Sequence, residues 1–377
     1  MTRVVLNGRF LAQKGTGVQR YARETLLALD SLLASPGSDR ITLELCVPAG
    51  AAAISLRHIK VTVLPWLKGH AWEQITLAWH AGRDLLVGFN YSGPVLKRHQ
   101  VITVHDATVA AMPSCFSWRY RLVHNGLLAM LKNRVASMMT VSEFSAQELR
   151  ARYAVKNRIV VGREGWSHAV SPTDDTAVLA KYGLGEGGYV LLVGSIKPNK
   201  NLEVVARALE KLPQFPWPVA VAGAPDTRIF RNVPDLSNRL KLLGFVSDDE
   251  LGALYRHAAW FLFPSLYEGF GLPALEAMAN GCPVLAAAAG SLPEVCADAA
   301  LFFDPRDAES LASLLLDVSR NEELRDHLRT RAAGRLSYYT WQANAQVLLN
   351  EILLRLGVLA PSRGELDGVG PIARSQT

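Results

Sequence analysis

Short apolar runs alternate along this chain with longer stretches in which apolar positions recur every three or four residues. That alternation predicts parallel strands joined by crossover helices. In the first half, Val4–Leu6, Leu43–Val47, Val61–Leu64, Leu85–Val87, Val101–Val104 and Met138–Val141 read as strands. Residues 17–34 and 118–135 read as helices. Gly, Pro, Ser and Asp then concentrate over residues 165–188, the region of an interdomain linker. A second series follows, with strands at Tyr189–Val193, Val219–Ala222, Leu240–Leu243, Trp260–Phe263 and Val284–Ala287. Helices fall between them at about Leu202–Leu212 and Ser247–Ala258. Ser247 and Glu250 have the spacing of a capping box. Two successive doubly wound α/β units, bounded near 1–170 and 171–345, predict a cleft between lobes with ligands at the carboxyl ends of the strands. The polar residues 361–377 read as a disordered tail.

Composition narrows the class. A chain of 377 residues with 49% hydrophobic and 20% charged residues can bury two cores. Cys46, Cys115, Cys282 and Cys296 form no CxxC pair and have no His cluster beside them, so they read as reduced thiols rather than a zinc site or disulfide framework. The apolar run after Met1-Thr2-Arg3 is too short for a signal peptide, and no stretch approaches the roughly 20 apolar residues of a membrane span. A cytoplasmic protein is expected, with peripheral contact at the inner face of the membrane left open. The net charge of +6 is uneven: residues 1–172 hold 21 Lys and Arg against 10 Asp and Glu, the rest 19 against 24. A basic first half suggests an anionic partner there, an evenly solvated surface being the plainer alternative. Nucleic acid is not expected as that partner.

The most informative segment is Phe263–Glu294. Glu268 and Glu276 lie eight residues apart. On one helix they would be about 12 Å apart along the axis and turned by roughly 80°, so they would not share a face. Gly269-Phe270-Gly271 argues against a continuous helix, and Pro273 marks a helix start. Glu268 is thus expected on a loop and Glu276 in the first helical turn, touching two ends of an extended ligand. Glycines allow close approach, and free N–H groups at a helix start suit phosphate oxygens.

This segment resembles the Glu-x7-Glu signature of family-4 glycosyltransferases, retaining enzymes of the GT-B fold. The resemblance implies two Rossmann-like domains facing across a cleft, the first for acceptor and the second for nucleotide-sugar donor. It also implies a C-terminal helix, about 345–360, packed back on the first domain. Glu268 would hold donor-sugar hydroxyls and Glu276 the ribose hydroxyls. Gly269 and the amides of Phe270, Gly271 and Leu272 would face sugar and phosphates. In Gly194-Ser195-Ile196-Lys197-Pro198-Asn199-Lys200 the matching cation is Lys200, placed on the leaving phosphate. Ser195 stands where the family commonly has Arg, so one cationic contact is missing or comes from Lys197.

In the first half, His105-Asp106 ends a strand and resembles the family's reaction-centre His. His105 would bond a sugar hydroxyl or stabilise an oxocarbenium-like state through its carbonyl; Asp106 would orient it or cap the next segment. Gly15-Thr16-Gly17 resembles the family's first-lobe loop over the donor phosphates. Arg20 and Tyr21, following it, read as acceptor contacts; for Arg20 the donor phosphates and an exposed helix face stay open as alternatives. Ser142 reads as a helix cap with Glu143 beside it, and Trp72-Glu73-Gln74 as aromatic packing. Trp118 to Arg134 mixes basic and aromatic residues that suit a membrane surface.

The resulting expectation is a retaining hexosyltransferase, mannose first, moving sugar from GDP-mannose to a glycan or lipid-linked glycan in polysaccharide biosynthesis. No Asp-x-Asp pair ends a strand, so no metal and no other cofactor is expected. A nucleotide-sugar epimerase of the same fold and a non-catalytic nucleotide-sugar-binding protein stay open as alternatives.

Overall fold

The computed structural model describes residues 2–34, 40–170, 176–194, 197–223 and 239–360. Its strands in the first half are β1 (Thr2–Asn7), β2 (Ile41–Pro48), β3 (Lys60–Leu64), β4 (Leu85–Gly88), β5 (Gln100–Thr103), β6 (Ser137–Thr140) and β7 (Ile159–Val161). Those in the second are β8 (Val190–Val193), β9 (Val219–Ala222), β10 (Leu240–Gly244), β11 (Trp260–Phe263), β12 (Val284–Ala287) and β13 (Ala300–Phe303). They form two sheets, ordered β3-β2-β1-β4-β5-β6-β7 and β10-β9-β8-β11-β12-β13. All pairings between them are parallel. β11 and β12 are buried at every position. A strand buried on both faces reads as a continuous apolar run without alternation, as these two do. The α/β, two-lobe architecture expected from the apolar pattern is present.

In both sheets the strand order reverses next to the first strand of the lobe, between β1 and β4 and between β8 and β11. Loops leaving adjacent strands there diverge to opposite faces and open a crevice. β8 runs into Gly194 and β11 into the loop before Glu268, so the switch point of the second sheet lies under the segment singled out above.

Two strands are not among those read from the sequence pattern. β7 is a three-residue strand pairing only with β6, half-buried throughout. β13 is the outermost strand beside β12 and follows a short run of small residues. β7 has only three apolar residues to show, whereas Ala300–Phe303 is apolar throughout and is passed over in that reading.

Helix boundaries follow local chemistry. Ser247 Oγ accepts from Glu250 N and Glu250 Oε2 accepts from Ser247 N, the reciprocal cap, ahead of helix Asp248–His257. Helix Leu272–Ala279 starts one residue before Pro273, so Glu276 is its fifth residue and lies past the first turn rather than in it. The last helix, Trp341–Arg355, returns to pack on helix Gly17–Leu32 of the first lobe. Its buried Asn344 donates from Nδ2 to the carbonyls of Gly162 (2.7 Å) and Arg163 (2.9 Å) and accepts from Thr25 Oγ1 at 3.2 Å.

Candidate active site

The loop from β11 to helix Leu272–Ala279 is held from below. Leu266 N donates to Asn199 O at 2.8 Å, and Ser291 Oγ lies 2.6 Å from Phe270 O and 3.0 Å from Glu268 O. Gly290, at φ +62°, leaves room for no side chain, because a Cβ there would be 2.8 Å from Glu268 N. The loop is therefore fixed from both sides. Its amides at Phe270, Gly271 and Leu272 have no acceptor among the described residues. They stand at the start of a helix, where free N–H groups and the helix dipole favour an anion.

Lys200 and Glu268 are brought together: Nζ is 2.6 Å from Oε1, with both side chains 16% exposed. The lysine stem crosses Gly194, where a Cβ would come within 3.2 Å of Lys200 Cε, and Nζ lies 5.3 Å from the centre of the Phe263 ring. Ser195 lies outside the described residues. Lys197 turns to the other lobe, over the Phe116 ring.

Glu276 is buried, with its oxygens taken by two donors. His168 Nε2 is 2.9 Å from Oε1 and Tyr255 Oη donates to Oε2 at 3.1 Å. Burial and the neighbouring Glu276 charge push the Tyr255 hydroxyl well above its ordinary pKa, so it stays a donor. Arg20 reaches across the cleft to Asp248 (2.6 Å) and lines one recess with Glu276, His168 and Tyr255. It is thus paired across the cleft rather than free on a helix face, while Thr16, Val18 and Gln19 just before it line the first-lobe cleft.

The other first-lobe residues divide. His105 is buried; its Nε2 lies 3.0 Å from Phe89 O and so carries the proton, and Nδ1 lies 3.8 Å from Glu164 Oε1. Its ring packs among core side chains, and its carbonyl faces Gly269 of the second lobe. Asp106 accepts from Thr108 N at 2.7 Å, capping the next turn rather than orienting the imidazole. Glu164 faces the ring instead; burial holds its carboxyl above the usual range, with His105 opposing. Tyr21, read as an acceptor contact, is fully buried, edge-on to His105 with ring centres 4.6 Å apart, and no acceptor reaches it. Its position on helix Gly17–Leu32 belongs to the core-facing stripe with Ala22, Thr25 and Leu26.

Thr16 lines a first-lobe cleft of about 370 Å³ with Arg9, Lys14, Asn90, Tyr120 and His124. Gly15 and Gly17 flank it, and a Cβ at either would meet nothing within 4 Å. No protein atom demands glycine there; open space in front of the loop does not oppose a ligand.

The lobes touch across the mouth. Ser142 caps helix Glu143–Tyr153 by accepting from Ser145 N, and its Oγ also donates to Gly269 O at 2.6 Å, as Ser145 Oγ does at 2.8 Å. Glu294 from the second lobe accepts from the amides of Glu143 (3.0 Å) and Phe144 (2.9 Å), satisfying the start of that helix. Gly269 lies so close to the first lobe that a Cβ would be 2.6 Å from Asp106 Cβ and 3.0 Å from His105 O. Glu164, His168, Glu294 and Ser291 escape sequence reading because each works on a residue far away in the chain. One group of possible metal ligands occurs among the described residues, Glu44, Cys46 and His80. The Arg3 guanidinium already sits against it, 3.1 Å from Glu44 Oε2 and 3.4 Å from His80 Nε2.

Residues 176–335 match the family described as Glycosyl transferases group 1. The chain is 31% identical over 268 residues to O-antigen chain mannosyltransferase B of Escherichia coli, covering 68% of this chain and 70% of that protein. It is 26% identical over 339 residues to O-antigen chain mannosyltransferase RfbU of Salmonella typhimurium, covering 84% and 91%. Its backbone superposes on sucrose-phosphate synthase from Thermosynechococcus elongatus with a TM-score of 0.72 at 17% identity, covering 95% and 99%. That likeness speaks for the fold.

Proposed function

Because the chain belongs to the group 1 glycosyl transferases, with their GT-B fold, nucleotide-sugar donor and glycan acceptor, we propose that it transfers mannose from GDP-mannose, with retention, to a glycan of a bacterial polysaccharide. The observation that carries the site assignment is the Lys200–Glu268 pair beside the amides of Phe270, Gly271 and Leu272, which have no acceptor among the described residues, at the β8–β11 switch point. The mannose and polysaccharide assignments draw on the names of both O-antigen relatives. Neither is an epimerase.

In this reading the donor pyrophosphate sits on Lys200 and the loop amides, Glu268 holds sugar hydroxyls and Glu276 the ribose. The anomeric C–O bond breaks with its electron pair passing to the phosphate oxygen. Lysine, amides and helix start stabilise that charge, which removes the need for a divalent ion. The acceptor hydroxyl attacks from the same face and gives its proton to the departing phosphate. The His105 carbonyl, facing the Gly269 loop, adds negative potential near the oxocarbenium-like centre.

The acceptor enters through the first-lobe cleft. Beside it, helix Trp118–Leu131 exposes Trp118 (66%), Leu122 (67%) and Val123 (54%) among Arg119 and Arg121, a surface suited to anionic lipid and to a lipid-linked acceptor. Among the described residues no helix is long and apolar enough to cross a membrane.

The test is a transfer assay across GDP-, UDP- and ADP-linked hexoses with a lipid-linked acceptor in anionic vesicles. GDP-mannose is expected to give the highest kcat/KM, EDTA to leave turnover unchanged, and the protein to sediment with the vesicles. Preference for another donor, loss of activity with EDTA, or protein left in the supernatant each strikes out the corresponding part.

A further inference from the structure

The connector between the lobes carries two buried side chains that enter the site from opposite directions. Glu164 faces His105, and His168 faces Glu276. Neither belongs to the Glu-x7-Glu pattern. We infer that His168 is a positioning residue for the donor, holding the Glu276 carboxylate in the orientation that takes the ribose hydroxyls, and that Trp341 fixes the form of His168 that does so. This rests on the reading of Glu276 as the ribose contact.

Hydrogen-bond chemistry sets the direction of the chain. An indole N–H only donates, and Trp341 Nε1 lies 3.2 Å from His168 Nδ1. Nδ1 therefore offers its lone pair and the proton sits on Nε2, which donates to Glu276 Oε1 at 2.9 Å. With Tyr255 on the other oxygen, the carboxylate is fixed in rotation, and each oxygen keeps a second lone pair for a hydroxyl. His168 is 4% exposed at its side chain, so water does not substitute for it.

The connector is itself tightly seated. A Cβ on Gly165 would lie 2.3 Å from Trp341 N, and Trp166 Nε1 donates to Leu336 O at 3.0 Å. Trp341 begins the helix that packs on the first lobe. The series Trp341, His168, Glu276 thus links the seat of that helix to the donor carboxylate of the second lobe.

Removing a hydrogen bond to a charged group typically weakens an interaction by about 10- to 100-fold. His168→Ala is expected to raise donor KM by about tenfold or more while kcat moves less than about threefold. His168→Gln, whose amide nitrogen stands where Nε2 does, is expected to recover wild-type KM to within about threefold. His168→Asn, whose amide mimics Nδ1, is expected not to, and serves if the alanine variant does not fold. The discriminating readout is calorimetric binding of whichever of GDP, UDP or ADP binds the wild type most tightly, against its 2′,3′-dideoxy counterpart. Wild type is expected to prefer the ribose form, and His168→Ala and His168→Asn to lose most of that preference. If Glu276→Ala loses the preference while both His168 variants keep it, the inference is overturned and the ribose reading stands. If Glu276→Ala also keeps it, the ribose reading falls and takes the inference with it.

Discussion

Replacing Glu268 by glutamine is expected to lower kcat by about 1,000-fold while the affinity for nucleoside diphosphate changes by less than about threefold. The substitution keeps the shape of the side chain and removes its charge. Lys200 then loses its ionic partner 2.6 Å away, and the sugar hydroxyls face a neutral amide in place of a charged acceptor whose hold strengthens as positive charge develops on the ring. Glu276, with His168 and Tyr255, is untouched, so the nucleotide end should bind as before. Single-turnover transfer and calorimetric binding on the same preparation separate the two effects. Wild-type kcat in the variant would remove Glu268 from the reaction.

Gly269→Ala is expected to reduce kcat/KM by about 100-fold with little change in nucleotide binding. The added methyl would fall 2.6 Å from Asp106 Cβ and 3.0 Å from His105 O, both on the opposite lobe. Neither neighbour can retreat, because Asp106 caps Thr108 and the His105 carbonyl accepts from Thr140 Oγ1. The lobes must part or the loop must shift, and a displacement near 1 Å at a reacting centre is worth about two orders of magnitude. The bonds from Ser142 and Ser145 to Gly269 O would stretch with it. Full activity in this variant would mean that the close approach of the lobes is irrelevant to transfer.

Much of the architecture was legible because buried parallel strands leave an unmistakable mark. Trp260–Phe263 and Val284–Ala287 are apolar at each position and coincide with β11 and β12. The Glu268 loop was legible for a different reason: Gly271 takes φ +109°, with a Cβ there only 2.6 Å from Leu292 Cδ2, so glycine is demanded and visible as such. Glu276 was misplaced by part of a turn because Pro273 takes the second helical position, not the first. Tyr21 shows how a motif can mislead. Proximity to Gly15–Gly17 suggested the cleft, while the helical period of its own segment buries it against His105 and Trp341. His168 lay in a stretch read only as linker, and Glu164 just before it drew no reading; their partners, His105, Glu276 and Trp341, are tens to hundreds of residues away, and no local spacing encodes such a contact.

A crystal structure with GDP-mannose and an unreactive acceptor analogue tests the central claim most directly. The ribose hydroxyls are expected on Glu276, the pyrophosphate on Lys200 and the amides of Phe270 to Leu272, and the hexose hydroxyls on Glu268. A nucleotide seated away from β8 and β11, with Lys200 still closed on Glu268, would contradict it.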